Sequence, residues 1–467
     1  MDFNTLAREV KGELVEGRFG TATFEGVSID SRTISENQLF IAIRGENNDG
    51  HRYIGDILKR AKGGVLINRN YPELSRIGER LPIVIVDDTH LAMMQLAENY
   101  RRRLSAKFIA ITGSNGKTTT KEFVYAMIAG VNESVYRSPG NLNNLFGLPL
   151  AIFAMPADVQ FGIFELGISV PGEMTKLANM IKADLVLITN VGPTHLETLG
   201  TIDRVAEAKF ELVDSLGPEK PVILNADIPI LMKTAHKRKR KYITFGFENP
   251  ADFVGRWIGI SDNGYPMIEI DGNKIAIKLF GDHQTYNILA GFAVCKVLGL
   301  DIKAKNLNNI DYRLAPYRGE IESINGLTLI ADCYNANPVS TKSGLLSFRR
   351  YLDHPHMKGR NGIAVIGDML ELGEKSADYH REIGVLLAQS NFALAITVGP
   401  MSKQTYLSAL SNGGQESKIK HFENIESAGD FLVSNVKRGD ILYLKASRGI
   451  GLEKIITLLK GSAFRQN

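Results

Sequence analysis

Seven consecutive residues, Gly113, Ser114, Asn115, Gly116, Lys117, Thr118 and Thr119, combine the features that hold a phosphate. Glycines let backbone N–H groups converge, a lysine supplies a point charge, and a helix N-terminus favours an anion. The apolar run 108–111 ahead of them reads as a strand, and the pattern behind them as a helix reaching about residue 129. In such a turn Lys117 reaches the β- and γ-phosphates of a nucleotide and the Thr118 hydroxyl helps to hold Mg²⁺. From Gly113 to Lys117 the loop is two residues tighter than the common G-x-x-x-x-G-K-[ST] form. No Asn-Lys-x-Asp guanine signature accompanies it, which speaks against a regulatory GTPase; the short loop speaks equally against a motor ATPase.

Other candidate residues fall at the ends of further apolar runs. Glu165 closes the run 160–164. A carboxylate at the carboxyl end of a neighbouring parallel strand points into the crevice where open α/β sheets bind ligands, and Mg²⁺ prefers hard oxygen ligands. His195 follows the run 185–189 after the turn-forming Gly192-Pro193 pair. Imidazole suits Mg²⁺ less well than oxygen, so on residue type alone a structural loop histidine is an equal reading. Lys209 lies on a helical pattern between Glu207 and Glu211, which share a face; the plain expectation is a charged helix surface. Asp332-Cys-Tyr-Asn-Ala-Asn-Pro338 ends another run and is either a turn or a polar ligand site. Gly367-Asp-Met-Leu-Glu-Leu-Gly373, with His380 on the helix beyond it, and Lys445-Ala-Ser-Arg448 also end apolar runs. Gly281-Asp-His-Gln-Thr-Tyr-Asn287 opens a helix with His283 and Asn287 on one face and Asp282 as a possible cap.

The elements that must position these residues alternate regularly. In the first hundred residues, strands at 39–43, 65–68 and 83–86 alternate with helices at 53–62 and 91–103. Strands at 108–111, 160–164, 185–189 and 222–225 are nearly continuous apolar runs separated by helices near 174–181 and 201–215, the signature of a parallel sheet covered on both faces. Residues 251–279 differ: Asp262-Asn-Gly-Tyr and Asp271-Gly-Asn-Lys mark hairpins. Strands at 327–331, 362–366, 393–398 and 441–444 form a third alternating region after a boundary near 314–318.

A chain of 467 residues accommodates about three domains. The formal charge of +4 argues against a dedicated nucleic-acid binder; the one basic run, 237–241, is expected on a solvated helix end or loop. Two cysteines, Cys295 and Cys333, make neither a disulfide framework nor a zinc pattern. No signal-peptide pattern and no apolar run near the ~18 residues of a membrane span are read, so the expectation is a cytoplasmic protein.

With these residues aligned, the chain resembles the Mur ligases over essentially its whole length. The tight loop Thr112-Gly-Ser-Asn-Gly-Lys-Thr-Thr119 is the motif they share with folylpolyglutamate synthetases. Gly140-Asn-Leu-Asn-Asn144, Tyr334-Asn-Ala-Asn-Pro338 and Gly367-Asp-Met-Leu-Glu-Leu-Gly373 are similar to the branch that adds D-alanyl-D-alanine to UDP-N-acetylmuramoyl-tripeptide, as are Asp30-Ser-Arg32, residues 39–43 and Asp49-Gly-His51. The resemblance implies an α/β protein of three domains: a small UDP-substrate domain (1–104), a central ATP-binding domain with a mostly parallel sheet and a β excursion (105–314), and a Rossmann-like domain (315–467). It implies a monomeric peptidoglycan-precursor ligase using ATP and Mg²⁺ at two sites. Lys117 and Thr118 would hold phosphates and metal. Glu165 and His195 would bind Mg²⁺, and Lys209 would do so as a carbamate. His283 and Asn287 would meet the adenine side of ATP, and Arg318 and Asp332 its phosphates or ribose. Ser31, Arg32, Asn141, Asn144, Asn335 and Asn337 would meet the substrates. Two positions depart from the pattern: Ala331 replaces an acid and Gln284 an asparagine. The sequence leaves open whether the tripeptide ends in diaminopimelate or lysine.

Overall fold

The computed structural model describes residues 1–15, 20–45, 48–60, 63–71, 81–312 and 314–462. Its centre is a seven-stranded sheet in the order Phe253–Val254, Ile243–Gly246, Val222–Asn225, Leu185–Ile188, Lys107–Thr112, Phe161–Glu165 and Val135–Arg137. Every neighbouring pair is parallel. Parallel strands covered on both faces must be apolar at every position, and Phe108 and Ala110 face one core cluster while Ile109 and Ile111 face the other. From Lys107–Thr112 the chain runs first to one side of the sheet and then crosses to Leu185–Ile188 on the other. That reversal opens a crevice at the carboxyl end of Lys107–Thr112, where such sheets bind ligands.

Two further sheets flank this one. The amino-terminal sheet has the order Glu13–Val15, Ile83–Val86, Val65–Asn68, Leu39–Ile41, Val27–Ser28, antiparallel only at its first pair. The carboxyl-terminal sheet runs Glu320–Ile324, Leu327–Ala331, Ile441–Lys445, Gly362–Gly367, Leu394–Val398, Ile419–Phe422, again antiparallel only at the first pair. The β excursion is a three-stranded antiparallel meander of Arg256–Ile260, Pro266–Ile270 and Asn273–Ala276. Asp271 and Gly272 both take positive φ (48° and 72°) at its second turn, as a two-residue hairpin loop requires.

Several expectations need correction. Strands at 135–137, 243–246, 320–324 and 419–422 were not legible because each is short and half-exposed, with polar residues interrupting the apolar run. The helix read from residue 53 is a 3₁₀ turn, Gly50–Tyr53, running into Ile54–Arg60; positions 61 and 62 lie outside the described residues. Asp282 caps nothing. Its carboxylate pairs with Arg350 and its N–H donates to Ser347 Oγ, so it ties the central region to the carboxyl-terminal one. The basic run is not simply solvated: Arg238 pairs with Asp214 and Glu207, and Arg240 donates to the carbonyls of Leu216, Gly217 and Lys220.

The helix Thr89–Arg103 joins the amino-terminal sheet to the centre through Arg101. Its buried guanidinium donates to the carbonyls of Ile181 (2.8 Å) and Lys182 (3.1 Å), pairs with Asp184 (3.2 Å) and lies 3.6 Å over the Phe108 ring. Asp184 in turn accepts from the Phe108 N–H. Arg101→Ala removes the donor from the Ile181 and Lys182 carbonyls, while Asp184 keeps Lys220 and the Phe108 N–H, and should cost about 2 kcal/mol of stability, read as a lowered midpoint in chemical denaturation with no change in cooperativity.

Candidate active site

After Thr112 the chain turns through Gly113 (φ +154°) and Gly116 (φ +77°) into the helix Lys117–Ala129. Gly116 has two reasons to be glycine. Its left-handed backbone disfavours a side chain, and a β-carbon there would lie 2.2 Å from Asn287 Oδ1. The loop between is fixed to the next strand end. The Asn115 carbonyl accepts from Thr189 Oγ1 (2.7 Å) and Asn190 Nδ2 (3.0 Å), and Ser114 Oγ accepts from the Gly192 N–H (2.9 Å). Lys117 Nζ folds back to donate to the Gly113 carbonyl at 2.8 Å. Burial holds its pKa below the usual lysine range, Glu165 draws it back up and Arg318 presses it down.

Thr118 Oγ1 donates to Glu165 Oε2 at 2.6 Å. The other carboxylate oxygen accepts from Asn143 Nδ2 at 2.7 Å. A hydroxyl and a buried carboxylate are thus placed together at the strand end, a hard-oxygen pair of the kind Mg²⁺ takes. Asn143 was not singled out in the sequence; within Asn141-Leu-Asn-Asn144 only the structure separates the roles. Asn141 and Asn144 both line the cleft, and Asn144 Oδ1 also accepts from the N–H groups of Phe146 and Gly147 and turns the chain into the helix Gly147–Phe153. Lys121 was also missed. It is wholly buried one turn after Lys117, and its Nζ donates to the carbonyls of Ser138 (2.6 Å) and Gly140 (2.9 Å), holding the asparagine loop against the phosphate loop.

Lys209 corrects the surface reading. Its side chain is only 2% exposed, on the inner face of the helix Ile202–Asp214. Desolvation drives its pKa well below the usual lysine value, and the neighbouring charge of Lys117 adds to this. Desolvation and a neighbouring cation both favour the free amine, which is the nucleophilic form of a lysine. His195, at the start of the short helix Leu196–Leu199, lines the cleft and bonds through Nδ1 to Glu371 of the carboxyl-terminal region (2.7 Å). Among the described residues, no three His, Cys, Asp or Glu side chains converge on one point. A cation here would therefore draw its remaining ligands from phosphate oxygens and water, which is the habit of Mg²⁺.

The cleft, of about 370 Å³, is completed from the far side by the carboxyl-terminal region. Asn337 caps the helix Pro338–Leu352 in a reciprocal box with Ser340 and donates from Nδ2 to Asn115 Oδ1 at 2.6 Å. It is thus a clamp on the phosphate loop rather than a free amide; Asn335 lines the cleft beside it. Asp332 accepts from Tyr443 (3.0 Å) and Lys445 (2.9 Å). The Arg318 guanidinium lies 3.7 Å over the Tyr334 ring, with Nε buried and without a partner. The two departures have physical counterparts. Glu320 pairs across the sheet from Ala331 and its carboxylate accepts from the Arg318 N–H. Gln284 lies against His283 Nε2 (3.1 Å) and accepts from Asn287 Nδ2 (2.8 Å). The amide N–H can serve only as donor in the first contact, which leaves the His283 proton on Nδ1, buried and without a partner. Burial lowers the His283 pKa to about 4, so this ring is a neutral donor. Gly113 frames the loop from behind, Thr119 lines the cleft, and Ser31 and Arg32 do not line it. Arg32 instead forms an exposed pair with Asp30 (2.7 Å), and His51 is buried between Asp49 and the Asn68 N–H.

Models of three domains match the chain: the Mur ligase family catalytic domain over residues 23–101, the Mur ligase middle domain over 111–295 and the Mur ligase glutamate ligase domain over 317–448. The UDP-N-acetylmuramoyl-tripeptide–D-alanyl-D-alanine ligase of Bacillus subtilis is 31% identical over 455 residues, covering 97% of this chain and 96% of its own. Among solved structures, a MurF ligase from Thermotoga maritima in complex with ADP superposes with a TM-score of 0.80 at 26% identity, over 94% of this chain and 97% of its own. MurF from Acinetobacter baumannii shares the fold with a TM-score of 0.85 at 23% identity, over 98% of both chains.

Gly116→Ala should weaken binding of an ATP analogue at least ~100-fold, because it displaces the loop by the order of an ångström. Isothermal titration checks this, and near-normal affinity would show that the loop yields.

Proposed function

Because this chain belongs to the Mur ligase family, we propose that it is an ATP-dependent amide ligase that joins D-alanyl-D-alanine to UDP-N-acetylmuramoyl-tripeptide, a step toward peptidoglycan. The observation that carries this reading is full-length similarity to ligases so named, together with one cleft lined by both the phosphate loop and the asparagine motifs. The division at 104/105 and 314/315 belongs to the same reading, with the first domain taking the UDP-substrate.

The terminal carboxylate of the tripeptide attacks the γ-phosphorus and the bond to ADP breaks, giving an acyl phosphate. The amine of the dipeptide then attacks the carbonyl carbon, the C–O bond breaks, and phosphate leaves with the former carboxylate oxygen. A carboxylate is a poor acyl donor, which is why ATP is spent. Lys117 and Arg318 face the phosphates and offset the charge that spreads over them in the transition state. The neutral His283 Nδ1–H is a donor for the adenine side, and Asp332 an acceptor for ribose. Closure of the third domain excludes water that would otherwise hydrolyse the acyl phosphate.

Burial and the charge of Lys117 favour the free-amine form of Lys209, the form suited to attack CO₂: an N–C bond forms, one C=O π bond of CO₂ opens, one proton leaves, and the amine becomes an anionic oxygen ligand. Thr118, Glu165, His195 and carbamylated Lys209 are the residues that would hold Mg²⁺, which when bound would neutralise phosphate charge. Among the described residues no helix is long and apolar enough to cross a membrane.

ADP release by the purified protein should require both UDP-muramoyl-tripeptide and D-Ala-D-Ala; full activity with a single amino acid would contradict the assignment. Lys209→Ala should lose at least ~100-fold in turnover and regain part of it with added short carboxylates, since the deleted oxygen ligand can be supplied in trans; the assay is rate against formate or acetate concentration.

A further inference from the structure

The loop that carries His195 and the loop 367–373 of the third domain interlock. His195 Nδ1 lies 2.7 Å from Glu371 Oε2. Both residues hold left-handed backbone, at φ +52° and +63°, a conformation that non-glycine residues keep only where the surroundings fix it. Two residues further on, Gly373 is left-handed as well (φ +58°), and a β-carbon there would stand 3.2 Å from the Glu197 Cα. The chain is therefore pressed backbone to backbone at the point that delivers Glu371. His195 lines the cleft and Glu371 does not; its side chain remains 62% exposed.

The geometry points to Glu371 as a positioning residue for His195, supplied to the metal end of the cleft by the third domain. A carboxylate on Nδ1 fixes the proton there and presents the Nε2 lone pair in one orientation, as carboxylates do behind histidines that serve a metal. The metal end is then complete only when the third domain is seated. The phosphate loop receives its own clamp from the same domain, Asn337 on Asn115, but Glu371 acts through the imidazole. This inference rests on the proposed role of His195 at a divalent cation. It does not depend on which peptide is joined.

The test measures Mn²⁺ binding by electron paramagnetic resonance to the full-length protein with a non-hydrolysable ATP analogue. Glu371→Ala should weaken the enzyme-bound Mn²⁺ about 10- to 100-fold while leaving the thermal midpoint near that of the parent. Glu371→Gln, whose amide oxygen still accepts from Nδ1–H, should recover most of the affinity. In a His195→Ala background, Glu371→Ala should add nothing. An unchanged Mn²⁺ affinity in Glu371→Ala, or an equal further loss in the His195→Ala background, would overturn the proposal. If the ligase reading failed instead, the substrate-dependence assay would fail while these metal effects stood.

Discussion

Positive charge crowds one carboxylate at the mouth of the central sheet. Lys117 feels both Glu165 and Arg318, and Lys209 feels Lys117 without a compensating anion among its principal influences. Like charges in a partly dry cleft repel strongly, so the arrangement is electrically incomplete on its own. Both influences on Lys209 press its pKa down. Lys117 responds by folding onto the Gly113 carbonyl. A polyphosphate, a divalent cation and a carbamate together would balance the set; the small uncharged groups Thr118, Asn141, Asn143 and Asn335 line the same cleft beside the charged Glu173, Asp332 and Lys445.

The fold provides the geometry for this crowding. The sheet reverses direction beside Lys107–Thr112, so the phosphate loop, Glu165 and the His195 loop emerge from three adjacent strands onto one edge. Hydrogen bonds from Thr189, Asn190 and Gly192 make the phosphate loop and its neighbour a single piece. Lys121 does the same for the asparagine loop on the other side. The third domain then closes the cleft with contacts of different chemistry: an amide pair at Asn115–Asn337, an ion pair at Asp282–Arg350, and the Glu371–His195 bond. Asn115, Asn337, Asp282, His195 and Glu371 lie in loops or at helix starts, and Arg350 in the last turn of the helix Pro338–Leu352.

How much of this was readable in the sequence depended on the range of the interaction involved. The phosphate loop was legible because glycine, lysine and threonine act within seven residues. The buried strands were legible because a parallel sheet demands apolar residues at every position. Lys209 was misread because the face a helix buries is decided by a neighbour: Glu207 and Glu211 on either side do sit outward, with Lys237 and with Thr175, but the lysine between them points in. Asn143, Lys121 and Glu371 act on groups set beside them by tertiary packing, and nothing in local spacing ranks Asn143 above Asn141 or Asn144. Asp282 showed the converse error: a residue type suited to a local cap is used for a partner 68 positions away.

The central claim is that the carboxylate itself attacks the nucleotide. It is tested most directly by supplying UDP-muramoyl-tripeptide with ¹⁸O in its terminal carboxylate, together with D-Ala-D-Ala and unlabelled ATP in unlabelled water, and analysing the released phosphate by mass spectrometry. Transfer of one ¹⁸O into each phosphate is the predicted result. Phosphate free of label, with its new oxygen drawn from water, would contradict an acyl-phosphate ligase and mark the cleft as that of a hydrolase.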